Sequence, residues 1–412
     1  MEFLKHALPN GLEVIAEANG EAYSAALGFF VRTGSRDETA EEAGVSHFLE
    51  HMMFKGTPTR TADDVNREFD EIGAHYNAFT NEENTVYYAA VLPEYQDRAV
   101  ELLADILRPS LRDDDFETEK QVILEEISMY EDQPPFGADE RCKAAYYGSH
   151  PLGRSVLGTE QSIQGMPVQT MRDYFRRRYT PGNIALVAAG RVDFDALVAC
   201  AARACGGWDS RPGGRAIEPA RPHEGFLTLH KEIAAQQYVL QLADGPAAED
   251  EQRFAAKLLA TVVGDDSGSR LYWELVDTGL AEHASLSHYE FLGAGLMMTY
   301  MSCEPDFAAE NLRRIRVIYA DVEADGITDA ELLQAKNKLR SRVVLSSERP
   351  RGRLFSVGGE WVYRGQYRSI DDDLRTVAAI TLDDIVRLLA DYRLTQSNTV
   401  TIGPLHELAP PV

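Results

Sequence analysis

The sequence predicts an α+β protein built from two duplicated domains, each a mostly antiparallel sheet covered by helices on one face. Three observations predict it. The chain has 412 residues, long for one domain when domains run to roughly 100–200 residues. The run GGWDSRPGGRAIEPARP, residues 206–222, is dominated by glycine and proline and breaks the chain near its middle. The two sides of that break carry the same succession of strand-like and helix-like patterns, at a period of about 210–220 residues. Domains are therefore expected at 1–207 and 223–412, joined by a linker over 208–222.

In the first half, β-branched and aromatic residues gather at Leu12–Ala16 and Ala25–Arg32, which predicts two strands. Helical periodicity follows at 43–54 and 61–72, strands at 74–80 and 84–91, then helices at 94–108 and 113–132. The second half opens with strands at Gly225–His230 and Gln237–Leu242. Helices follow at 250–263 and 267–277, strands at 283–290 and 294–302, and helices at 305–323 and 328–347. Antiparallel strands followed by paired helices fit a sheet with one helical layer.

Composition excludes several classes of function. Acidic residues number 66 against 41 basic ones, a net charge of −25. Residues 1–150 hold 31 acids against 12 bases, a balance of −19, and the remainder holds 35 against 29, a balance of −6. Such a surface repels phosphate backbones, so nucleic-acid binding is not expected, and cationic peptides are the more natural partner. No run approaches 18 apolar residues, so no membrane span is expected. The opening MEFLKHALPNGLEV has the pattern of neither a secretory signal nor a transit peptide. Cys142, Cys200, Cys205 and Cys303 are too scattered for a disulfide framework and read as small core residues. A bacterial cytoplasm is the expected compartment.

One segment carries chemistry. Within Ala43–Thr57 lies His47-Phe-Leu-Glu50-His51, an H-x-x-E-H motif. On a helix, His47 and His51 are four residues apart and project from one face, where two imidazoles can share a zinc ion. Glu50 stands beside that stripe, in the position of a general base acting on water at the metal. This is the inverted zincin pattern. Zinc needs a third protein ligand. The helix expected over 113–132 offers Glu119 and Glu126, seven residues apart on a shared face, whereas Glu125 points elsewhere.

These residues resemble the pitrilysin, insulinase and mitochondrial-processing-peptidase family of zinc endopeptidases. There, H-x-x-E-H is followed about 75 residues later by a glutamate ligand within E-x-x-x-V-I-x-x-E. The match continues through Leu8-Pro-Asn-Gly-Leu12, Gly73–Thr80 with Glu83–Tyr88, His150–Gly153 with Gly158–Glu160, and Tyr179–Gly190, and more loosely through Gly268–Tyr272. The resemblance implies one zinc per chain held by His47, His51 and Glu126, with Glu50 as general base and Glu119 as an assisting carboxylate. It implies that Asn77 and Ala78, on an edge strand, present backbone groups to an extended peptide. It also implies that the two domains form half of a clamshell chamber, completed in a homodimer or a heterodimer with a related subunit. His75 reads as a rim residue and His150 as a loop residue, and neither is assigned to the metal.

One run departs from the family. Active members carry an Arg and a Tyr in a second-half run like L-R-E-K-x-G-L-A-Y. Here Glu274–His283 is one residue shorter, with Val276 in the place of the Arg and Glu282 in the place of the Tyr. His283 and Tyr289 are the candidate replacements. The leading expectation is a zinc-dependent endopeptidase. The alternative is an inactive or partner-dependent structural subunit of the same fold.

Overall fold

Two short runs, AALGFFV at Ala25–Val31 and IALVAAG at Ile184–Gly190, are buried at every position, the pattern of strands covered on both faces. They occupy the centre of a six-stranded sheet in a computed structural model that describes residues 1–211 and 213–411. Its strands are β1 (Glu2–Ala7), β2 (Glu13–Ala18), β3 (Ala25–Val31), β4 (His75–Thr80), β5 (Thr85–Val91) and β6 (Ile184–Gly190). Their order is β1-β2-β6-β3-β5-β4, with β2 and β6 parallel and every other pair antiparallel. A second sheet contains β7 (Gly225–His230), β8 (Gln237–Asp244), β9 (His283–Phe291), β10 (Ala294–Cys303) and β11 (Ser397–Gly403) in the order β7-β11-β8-β10-β9. Only β7 and β11 are parallel there. With β1 set aside as an added edge strand, both sheets have the same order and the same single parallel pair. The duplication inferred from element order is thus present in the topology.

Helices cover the main face of each sheet, and the opposite face carries one more helix than expected. On the first sheet Leu27, Phe29 and Val31 point into the main core with the helices Val45–Met53, Gln96–Ile106 and Phe194–Cys205. Ala26 and Phe30 point the other way, against Leu354, Val357 and Trp361 of the helix Pro350–Arg364. The approach is close: a Cβ at Gly358 would stand 2.3 Å from the Phe30 ring. A buried ion pair, Arg353 Nε to Glu17 Oε1 at 2.8 Å, and Tyr367 Oη donating to Glu17 Oε2 at 2.7 Å tie this segment to β2. On the second sheet the helix Ala138–Tyr147 plays the same part, packing Cys142, Tyr146 and Tyr147 against Leu240, Leu242 and Val400.

These packings divide the chain into two compact units that are not sequential. One comprises 1–128, 154–216 and 345–368, the other 129–153, 217–344 and 369–412. A linear division into 1–207 and 223–412 therefore misassigns two segments, because each pairs its apolar face with the sheet encoded in the other half. Among the described residues, 206–224 form no helix or strand. Part of this stretch is nevertheless anchored: Arg178 donates to Gly214 O at 2.6 Å, and Arg215 Nε donates to Asp37 Oδ1 at 2.8 Å. All four cysteines are buried and unpaired. No helix of the described residues is long and apolar enough to cross a membrane.

Candidate metal centre

The motif helix Val45–Met53 begins at Gly44, whose φ of 89° is the left-handed region that favours glycine. A side chain there would also meet Leu157 O at 2.6 Å. The first turn of the helix is capped from a distance. Glu38, buried, accepts the N–H groups of Gly44 and Ser46 at 2.8 Å each. Burial pushes the Glu38 carboxyl up to about 7, with those two backbone donors opposing the shift. Phe48, Leu49, Met52 and Met53 bury the core face of the helix. Phe48 stacks on Phe116 with centroids 4.6 Å apart, which joins the motif helix to the helix Asp113–Asp132.

That stacking brings the sequence-predicted residues together. His47 Nε2 lies 3.7 Å and His51 Nε2 3.6 Å from Glu126 Oε2. The three ligand atoms fall within 4.8 Å of one another. Tetrahedral zinc, with bonds of about 2.0–2.1 Å, sets its ligand atoms roughly 3.3–3.4 Å apart. The two histidine–glutamate separations exceed that spacing by only a few tenths of an ångström, and the whole donor set is compact enough to close around one zinc ion. Its chemistry fits as well, since two imidazoles and a carboxylate are ordinary zinc ligands.

The surroundings prepare the ligands. Burial, with the neighbouring His51 ring, pushes His47 down to about 3, so it stays neutral and able to ligate. His51 Nδ1–H donates to Glu119 Oε1 at 3.0 Å, which leaves Nε2 turned to Glu126. Burial would lower the His51 value, but the Glu119 hydrogen bond and the Glu126 charge outweigh it and hold it above the ordinary range. Glu119 is buried too, yet the donors His51 and Lys55, the latter at 2.6 Å, keep its carboxyl below the usual range. Glu119 thus stands behind His51, bonded to its Nδ1 and to Lys55. Glu125 is exposed and outside the cluster.

Glu50 sits one residue before His51, close enough to feel the charges of His51 and Glu126. Burial raises its carboxyl value, and a hydrogen bond from Thr80 Oγ1 to Glu50 Oε2 at 2.6 Å opposes that rise. Thr80 ends β4, the edge strand of the sheet. Asn77 is exposed on β4, whereas the Ala78 side chain is buried. The Ala78 N–H is already taken by Asn77 Oδ1 at 2.8 Å, a bond that a pairing peptide would have to replace. His75 is exposed at the start of β4, and His150 bonds to Glu218 O at 3.1 Å; neither joins the metal cluster. Sequence reasoning missed Lys55 and Thr80. Their only sequence signal is position, one turn beyond His51 and at the end of the edge strand.

In the second unit, Val276 ends a π-helical turn at Tyr272–Val276 and packs against that unit's core. Glu282 is exposed and accepts from Gln236, while His283 opens β9 with its ring 3.1 Å from Ser285 Oγ.

Two family models cover most of the chain. Residues 13–160 match Insulinase (Peptidase family M16), and residues 166–339 match the Peptidase M16 inactive domain. A relative in Mycobacterium leprae, described as an uncharacterized zinc protease, is 36% identical over 405 residues, 96% of this chain and 91% of the relative. The chain belongs to peptidase family M16. The M16 relative YmxG of Bacillus subtilis, also an uncharacterized zinc protease, is 31% identical over 383 residues, 92% of this chain and 93% of its own length. Solved structures share the fold. A protease from Helicobacter pylori superposes with a TM-score of 0.91 at 22% identity, covering 98% of this chain and 99% of that one. A Pseudomonas fluorescens structure described as a peptidase M16 inactive domain also gives 0.91, at 18% identity and with full coverage of both chains.

Proposed function

We propose that this M16 chain is a zinc-dependent endopeptidase acting on extended peptides, with one zinc held by His47, His51 and Glu126. The observation that carries the reading is the convergence of those three ligand atoms beside Glu50. Zinc bound there supplies a Lewis acid that polarises the scissile carbonyl and acidifies a water. Glu50 takes the proton from the attacking water and returns it to the leaving amine. Its burial, which raises the carboxyl value, suits a group that must both accept and donate. Glu119 fixes the His51 ring. The open edge of β4 receives the peptide as an added strand, with Asn77 and Ala78 at the contact. A homodimer, or a heterodimer with a related subunit, is the proposed assembly.

A second reading has one specific observation in its favour. Val276 and Glu282 replace the Arg and Tyr expected of active members, which favours an inactive or partner-dependent subunit. Cleavage of a peptide library by the purified chain, alone and with any co-purifying partner, separates the two readings. The endopeptidase reading expects cleavage that a chelator abolishes, zinc restores and Glu50→Gln reduces by about 10²–10⁴-fold. Zinc-loaded chain that cleaves nothing, with or without its partner, supports the subunit reading instead.

A further inference from the structure

Glu50 is held from one side only. Among the described residues Thr80 is the single hydrogen-bond donor to its carboxylate, through Oγ1 to Oε2 at 2.6 Å. Carboxylate chemistry sets the direction of that bond. An ionised carboxylate only accepts, so the Thr80 hydroxyl proton is committed to Glu50. Thr80 Oγ1 also lies 3.4 Å from Thr85 Oγ1, whose own proton goes to Thr33 O at 2.9 Å. Thr85 is fully buried and opens β5, directly opposite Thr80 in the β4–β5 register. The hydroxyl that holds Glu50 belongs to the last residue of the open edge strand, at a position paired across to β5.

We infer that Thr80 is a positioning residue that sets the Glu50 carboxylate for proton transfer and links it mechanically to the edge of β4. This rests on the reading of Glu50 as general base. The link means that a peptide pairing with β4 braces the strand that holds the base. Thr80 takes one acceptor site of Oε2, and Oε1 carries no hydrogen bond among the described residues. The bland alternative is a tether that only joins β4 to the motif helix.

The test uses the full-length zinc-loaded chain and the variants Thr80→Val and Thr80→Ser. Valine keeps the shape and removes the donor. Thr80→Val is expected to lower kcat about 10- to 100-fold with KM, zinc content and Tm close to wild type, and Thr80→Ser is expected to restore kcat. Wild-type kcat in Thr80→Val overturns the inference, and so does a loss of kcat that tracks a parallel loss of zinc or Tm. Crystal structures of wild type and Thr80→Val give a readout that needs no activity. A displaced Glu50 carboxylate supports the positioning role, and an unmoved one overturns it whether or not the chain cleaves peptides. If wild type and Glu50→Gln are equally inactive while Thr80→Val displaces the carboxylate, the endopeptidase reading fails and the positioning of Glu50 stands.

Discussion

The two sheets have one topology, yet the helices on them have diverged in opposite directions. After β3 comes the motif helix, which buries Phe48, Leu49, Met52 and Met53 and leaves Glu50 and His51 partly open. After β8 comes the helix Arg253–Gly264, RFAAKLLATVVG, buried at every position but Lys257. A Cβ at Gly264 would stand 2.1 Å from Leu286 N, so this helix is pressed onto β9. The later helices differ in charge. Asp113–Asp132 turns Glu119 and Glu126 toward His51 and Lys55, whereas Asp329–Ser347 turns Lys338 toward Asp265 at 2.7 Å, with Arg342 on the same carboxylate. Where the first unit gathers acids around imidazoles, the second has a plain ion-pair cluster. Among the described residues the one candidate metal cluster lies in the first unit, where the motif helix leaves Glu50 and His51 partly open, whereas its counterpart Arg253–Gly264 is buried almost throughout.

The largest expected effect breaks that difference. Glu126→Ala should remove zinc and lower cleavage by at least about 10³-fold, because two histidines alone make a weak site. Asp265→Ala, its opposite number in the ion-pair cluster, should leave zinc content and kcat unchanged. Metal analysis and cleavage rates on both variants check this. The next effect concerns the helix behind the first sheet. Arg353→Ala leaves the buried Glu17 without its cation, with the Tyr367 hydroxyl still donating to it, and should cost about 3–5 kcal/mol in urea unfolding. A loss below about 1 kcal/mol would show that Pro350–Arg364 is not integral to the first unit. A smaller effect is expected of Glu119→Gln, which still accepts from His51 but loses its charge. Zinc affinity measured by competition with a chelator should fall about 10- to 100-fold.

The smallest effect is on pH dependence. Glu38 has a folded-state value of about 7, above the 4.5 of a free glutamate. Such a group favours folding while protonated, a gain complete below pH 4.5 and lost as pH rises through 7. Wild type should therefore lose stability relative to Glu38→Gln across that window, on the order of 1–3 kcal/mol. Urea midpoints of both proteins at pH 4.5, 5.5, 6.5 and 7.5 test it, and a constant difference would contradict it.

The metal residues were legible because their spacing is local to two helices: four residues separate His47 from His51, and one helix face holds Glu119 and Glu126. β3 was legible from its apolar run, whereas β6 and β11 were passed over although IALVAAG is as apolar. The partners of the helices Pro350–Arg364 and Ala138–Tyr147 could not be read. Arg353 meets Glu17 across 336 residues, and Cys142 meets Asn398 O across 256, and no local pattern encodes such pairing. The acidic first third was legible as a number but not as a cause. Asp37 is paired with Arg178 and Arg215, Glu42 with Arg177, and Glu83 with Arg36 and Arg215. Arginines from beyond residue 150 thus neutralise part of the excess around the loop that feeds the motif helix. A preference for cationic peptides, expected from the charge balance alone, would rest on the acids outside these ion pairs.

Anomalous diffraction at the zinc edge, on crystals grown after zinc loading, tests the difference between the two units most directly. One peak per chain among His47 Nε2, His51 Nε2 and Glu126, with none beside Asp265 and Lys338, is the result expected. No peak at the triad, or a second peak in the ion-pair cluster, would contradict it.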